Sequence, residues 1–290
     1  MTNLLLQKAS LYGEDVKDVR IADGVITAVE ADLTPQDGER VIDAKGMVLL
    51  PGLVDLHVHF REPGYEDAET ILTGSQAAAK GGFTTVFPMA NTYPVQDTAG
   101  VVEAVRTLGE EAGYCDVRPN GAVTVGLKGE HLAELGAMAH SKARVRVFSD
   151  DGHCVSDPLV MRRALEYVKG FDGVVAQHAQ DPRLTLKAQM NESELSSELG
   201  LNGWPWVAEA SIIARDVLLA EHVGARLHVC HISTRTSVEI IRWAKQRGVQ
   251  VTAEVTPHHL LLTEEMVRGY DARFKVNPPL RDQADVDALR

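Results

Sequence analysis

Two histidines two residues apart, His57 and His59, close the apolar run Gly52-Leu53-Val54-Asp55-Leu56. On an extended chain their imidazoles project to the same side, which is a metal-ligand geometry. Arg61 follows on that face. Asn91, Asp151, His178 and His231 each stand at or just past the C-terminal end of a later predicted strand. Alternation selects among neighbours. In Arg226–His231 it groups Leu227, Val229 and His231 and sets His228 opposite, so His231 is the expected inward ligand. The same count over Val145–Asp151 selects Asp151 over Asp150, and in Val174–His178 it puts small Ala176 beside His178. Four imidazoles and one carboxylate suit zinc. Five donors exceed one tetrahedral ion and suggest two, bridged by Asp151, a centre that activates water for hydrolysis of an amide-like bond.

The elements that must position these groups follow from patterning. Residues from Leu4 to about Leu50 alternate short apolar runs with turn signals such as Ala22-Asp23-Gly24, a β pattern. From Pro51 onward short apolar strands alternate with amphipathic stretches of helical length. Strands are expected near Leu53–His59, Thr84–Pro88, Val117–Val125, Val145–Asp151, Gly173–His178, Arg226–His231 and Gln250–Val255. Such βα alternation makes a parallel sheet covered by helices. In a (β/α)8 barrel the polar strand ends meet at one mouth, whereas in an open sheet the outer ones would be too far apart, so the barrel is favoured. The stretch Gln180 to Asn202 reads as a partly helical insertion. The expected division is an N-terminal β segment, residues 1–51, and a metal-dependent hydrolase barrel, residues 52–290, without a recognisable eighth strand.

With 290 residues, 44% of them hydrophobic, the chain can bury a large core. A formal charge of −12, from 29 basic and 41 acidic residues, argues against nucleic acid or an anionic membrane as a partner. It leaves room for a small anionic substrate. Cys115, Cys154 and Cys230 are odd in number and widely spaced, as reduced thiols would be. Neither a signal peptide nor a membrane span is legible, and the expected location is the cytoplasm.

The run His57-Val58-His59-Phe60-Arg61-Glu62-Pro63-Gly64, with Phe87-Pro88-Met89-Ala90-Asn91-Thr92 and Lys275-Val276-Asn277-Pro278-Pro279-Leu280-Arg281, resembles the bacterial class I dihydroorotases of the amidohydrolase superfamily. The resemblance implies a (β/α)8 barrel whose N-terminal β segment belongs to a small β-sandwich. It implies reversible interconversion of dihydroorotate and N-carbamoyl-L-aspartate in pyrimidine synthesis. It puts His57, His59, His178 and His231 in the family's metal positions, and Arg61, Asn91 and Asn277 in its substrate positions. Phe148-Ser149-Asp150-Asp151-Gly152 stands where many relatives carry a carboxylated lysine, which disfavours a hydantoinase or allantoinase. The family's general acid/base, an aspartate on the eighth strand, is expected beyond Arg290, so the chain reads as C-terminally truncated and of little activity alone. A homodimer is expected. The non-enzymatic alternative is a dihydroorotase-like subunit that supports aspartate transcarbamoylase.

Overall fold

The computed structural model describes residues 3–290, which fall into two compact units that meet between Leu53 and Val54 in the chain. The first is a five-stranded sheet of β1 (Leu4–Leu11), β2 (Val16–Ala22), β3 (Val25–Glu30), β4 (Arg40–Asp43) and β5 (Val48–Leu49). β1, β2 and β3 form an antiparallel meander, while β4 and β5 pair with β1 in parallel. Asp23 and Gly24, both at positive φ, close the β2–β3 hairpin with the two-residue turn that matches strand twist. Buried Asp18 accepts the Leu33 and Lys8 amides, which hold its carboxyl below the usual range and pin the loop after β3.

In the second unit strands and helices alternate: β6 (Leu53–Val58), α1 (Ile71–Lys80), β7 (Phe83–Pro88), α2 (Ala99–Ala112), β8 (Asp116–Val117), α3 (Leu135–His140), β9 (Val147–Phe148), α4 (Pro158–Lys169) and β10 (Val174–Gln177). The insertion after β10 holds β11 (Met190–Asn191), α5 (Glu194–Leu199) and β12 (Gly203–Trp204). Then come α6 (Val207–Val223), β13 (Arg226–Val229), α7 (Arg235–Gln246), β14 (Val251–Ala253), α8 (Pro257–Leu261) and α9 (Gln283–Leu289). Among the described residues β6-β7-β8 form one ladder and β9-β10-β13-β14 another. A parallel bridge between Gly121 and Phe148 joins the two ladders. Gly121 is required there, since a Cβ would meet Met138 Sδ at 2.9 Å and the Phe148 ring at 3.0 Å.

The strands have two kinds of face. Phe148, Val175, Leu227 and Val229 pack outward on α4, α6 and α7, through Met161, Leu165, Ile213, Val217 and Ile241. Each such buried side chain contributes about 1.5–3 kcal/mol. Val147, Ala176, Cys230 and Met89 meet on the inner side and fill the barrel axis below its mouth. Helix starts are fixed by their caps: Asp157 before Pro158, Thr234 before α7 and Thr256 before Pro257 each accept amides of the first turn. No helix among the described residues is long and apolar enough to cross a membrane.

Two strand expectations need correction. The segment 117–125 is not one strand: β8 stops at Val117, Pro119 has no amide to donate, and after Gly121 the chain turns through a 3-10 helix, Val125–Leu127. The segment 145–151 is a strand only over Val147–Phe148. Most of the polar groups expected at strand ends therefore lie in the loops immediately beyond them.

Candidate metal centre

Asp151 is the centre of the cluster. It is buried, and its two oxygens face two different histidine pairs. Oδ2 lies 3.4 Å from Nε2 of His57 and 3.4 Å from Nε2 of His59. Oδ1 lies 3.2 Å from Nδ1 of His178 and 3.2 Å from Nε2 of His231. The donors thus form two triads, His57–His59–Asp151 and His178–His231–Asp151, each with its ligand atoms within 4.8 Å of one another. Burial opposes charge on Asp151, but hydrogen bonds from His178, His231 and His57 hold its carboxyl well below the ordinary range. Burial also opposes charge on His57, yet hydrogen bonds to Asp151, Cys230 and Glu254 push its imidazole up to about 12. Burial pushes His59 and His231 down. Four imidazoles crowded on one ionised, buried carboxylate are a donor set that divalent cations satisfy, so the residues fit a metal.

Three of the rings are held from behind. His57 Nδ1 lies 2.6 Å from Glu254 Oε1, His59 Nδ1 lies 3.1 Å from Asn91 Oδ1, and His178 Nε2 lies 2.7 Å from Gln180 Oε1. Asn277 donates to the same Gln180 oxygen at 3.3 Å. Asn91 therefore touches the centre through His59, and Asn277 reaches it one step further back, through Gln180. Such partners set which ring nitrogen faces a metal.

Above the cluster opens a cavity of about 540 Å³, lined by His57, His59, Arg61, His231, His258 and Asn277 among others. That volume suits a small ligand. The Arg61 guanidinium has no ion-pair or hydrogen-bond partner among the described residues. His258 faces the cavity, whereas its neighbour His259 is spent on structure, bonded to Thr256 Oγ1 at 2.6 Å and to the Pro278 carbonyl at 3.1 Å. Burial pushes His259 down to about 3.

Parity describes three donors and misdescribes one. His57 is the penultimate residue of β6, and both Asp151 and His178 continue the inward side of Val147 and Ala176. His231 does not continue an inward row. Leu227 and Val229 face the helices, His228 and Cys230 face inward, and β13 ends at Val229. His231 comes in because its backbone turns, with φ at +31°. Glu254 and Gln180 are additions that sequence reasoning did not single out, whereas His258 and His259, after Thr256-Pro257, read as residues that either line the mouth or serve structure, and the pair divides between those two roles. Glu254 stands at the C-terminal end of the predicted strand Gln250–Val255, the same signal that draws attention to Asp151. The three cysteines are free. Cys230 lies beside His57 and Glu254, and burial pushes its thiol, like that of Cys154, up to about 12.

Solved structures share this architecture along the whole chain. L-hydantoinase from Arthrobacter aurescens superposes with a TM-score of 0.82 over 100% of this chain and 66% of its own, at 23% identity. D-hydantoinase from Thermus sp. gives 0.75 over 99% and 65%, at 24% identity. The fold is accordingly that of a (β/α)8 barrel. Residues 46–237 match the family described as Dihydro-orotase-like. The chain is 72% identical to the dihydroorotase of Leifsonia xyli over 94% of its own length and 62% of that protein's. It is 66% identical to that of Streptomyces coelicolor over 100% and 68%, and 54% identical to that of Mycobacterium tuberculosis over 99% and 67%. It belongs to the dihydroorotase family, and spans about two thirds of the length of these relatives.

Proposed function

We propose that the chain carries the metal-binding and carboxylate-binding part of a zinc-dependent dihydroorotase, which reversibly hydrolyses (S)-dihydroorotate to N-carbamoyl-L-aspartate in pyrimidine synthesis. The observation that carries this reading is the unpaired Arg61 at a cavity lined by His57, His59 and His231, three of the four imidazoles gathered on Asp151. His57, His59 and Asp151 would hold one zinc ion, and Asp151, His178 and His231 a second. When bound, zinc supplies Lewis acidity, which acidifies water and polarises an amide carbonyl. The protein groups do the rest. Arg61 forms a two-pronged pair with the substrate carboxylate, a geometry lysine does not reproduce. Asn277 and Asn91 present amides to the ring, while Asn91 steadies His59 and Asn277 steadies the Gln180 that holds His178. The proton that moves from water to the departing ring nitrogen is assigned, by the resemblance, to an eighth-strand aspartate not found in residues 1–290.

This reading takes residues 1–51 as part of a β-sandwich and residues 52–290 as the hydrolase barrel, in a cytoplasmic homodimer. Aspartate transcarbamoylase is its proposed partner, on the same resemblance. The test is ring opening by zinc-loaded protein, with dihydroorotate and hydantoin compared directly. Preference for dihydroorotate supports the reading; preference for hydantoin overturns it. Zinc bound at the predicted histidines, with silence on both substrates, leaves the centre assigned and the proton shuttle outside this chain.

A further inference from the structure

We infer that Glu254 is a positioning residue for the centre: its carboxylate holds the proton of His57 on Nδ1 and so aims the Nε2 lone pair at the cation. The inference rests on the reading of His57 as a ligand. His57 has two ring nitrogens and two carboxylate neighbours. Only Nε2 looks into the triad with His59 and Asp151, so Nδ1 must carry the proton when the ring ligates. The atom facing Nδ1 is Glu254 Oε1, at 2.6 Å. A short charge-assisted hydrogen bond of this kind is about twice as strong as a neutral one.

Glu254 is itself fixed. Its amide donates to the Val229 carbonyl at 3.0 Å, and its carbonyl accepts the Ile232 amide at 2.9 Å, which ties it to the segment that carries His231. Its second oxygen lies 3.4 Å from His228 Nε2, and His228 is anchored through Nδ1 to Thr252 Oγ1 at 2.8 Å. Thr252, His228, Glu254 and His57 stand in a row, with hydrogen bonds at its two ends and only a close approach, not a hydrogen bond, between His228 and Glu254. His228, which alternation assigns to the far face, thus stands on the inner side, behind the centre. The arrangement is asymmetric: His59 and His178 lean on neutral amides, and only His57 leans on a carboxylate. A carboxylate behind an imidazole makes it a better donor, so the cation beside His57 and His59 is the one that depends on Glu254.

The test is cobalt binding to the 290-residue chain against a competing chelator, with Glu254→Gln and Glu254→Ala, each also placed in His178→Ala and His59→Ala backgrounds. Circular dichroism confirms folding. The near-isosteric Glu254→Gln keeps an acceptor and covers the case in which alanine disturbs the fold. Glu254→Ala should weaken the ion on the His57 side by about 10- to 100-fold, with Glu254→Gln intermediate. The loss should persist in His178→Ala and vanish in His59→Ala. In the cadmium-loaded chain, long-range proton–nitrogen spectra should find the His57 proton on Nδ1, and find that preference weakened in Glu254→Ala. Equal cobalt affinity in wild type and Glu254→Ala overturns the inference while leaving His57 a ligand. Failure of the parent chain to bind cobalt at all overturns both readings together. A third equivalent of metal, lost in Glu254→Ala and in Cys230→Ala with the first two intact, would make Glu254 a direct ligand and also overturn it.

Discussion

Removing metal with a chelator and raising the pH should loosen the barrel unit in a way that one residue controls. His57 is held up to about 12 in the folded chain, against 6.5 as its ordinary value. The folded chain keeps a proton that the unfolded chain releases, so this stabilisation is complete below 6.5 and is lost as the pH climbs toward 12. The loss is about 1.4 kcal/mol per pH unit, hence about 2 kcal/mol between about pH 7 and pH 8.5. That result requires only that the folded value lie above the window. Other groups leave the window clear. His59, His231 and His259 are pushed down, so their contributions change below their ordinary value of 6.5. The thiols of Cys154 and Cys230 begin to differ only as the unfolded chain approaches the ordinary thiol value of 9.0. Trp204, Trp206 and Trp243 all fall in residues 54–290, so tryptophan fluorescence in urea reports this unit. The midpoint should fall across the window in the parent, stay level in His57→Gln, and stay level in the parent saturated with zinc, where the ring ligates as a neutral imidazole. A parent with a level midpoint, or an unchanged slope in His57→Gln, would refute the reasoning.

Two further outcomes follow from the cavity and the strand junction. Arg61→Met, in an active preparation carrying this sequence, should lower kcat/KM for dihydroorotate by about 100-fold, the loss of roughly 3 kcal/mol in charge-assisted hydrogen bonds, with zinc content unchanged; loss of zinc would count against the assigned role. Gly121→Val should destabilise the barrel unit by about 1–3 kcal/mol in urea, because its side chain would be driven into Met138 and Phe148; an unchanged midpoint would show that the two ladders can separate there.

The sequence discloses the centre better than it discloses the strands around it. His57 and His59 are legible because one lies in β6 and the other directly follows its end, and Asp151 because alternation continues a short way past β9. His231 is found for a partly mistaken reason: residue type and position point to it, but its direction comes from a left-handed turn that alternation does not contain. The third strand is overdrawn because Pro119 and Gly121 interrupt an otherwise apolar run. Glu254 escapes notice because its worth lies in a contact 197 residues away. A lone carboxylate after a strand looks the same whether it meets solvent or an imidazole.

Asp151 also has a consequence for how the centre fills. One carboxylate presents an oxygen to each triad, so two ions held there would be thermodynamically linked, an ion at either changing the affinity at the other by the same factor. The first arrival orients the shared group and withdraws part of its charge, which help and hinder the second in turn. A half-loaded preparation is therefore a molecule with its own chemistry, and not an even mixture of empty and complete sites.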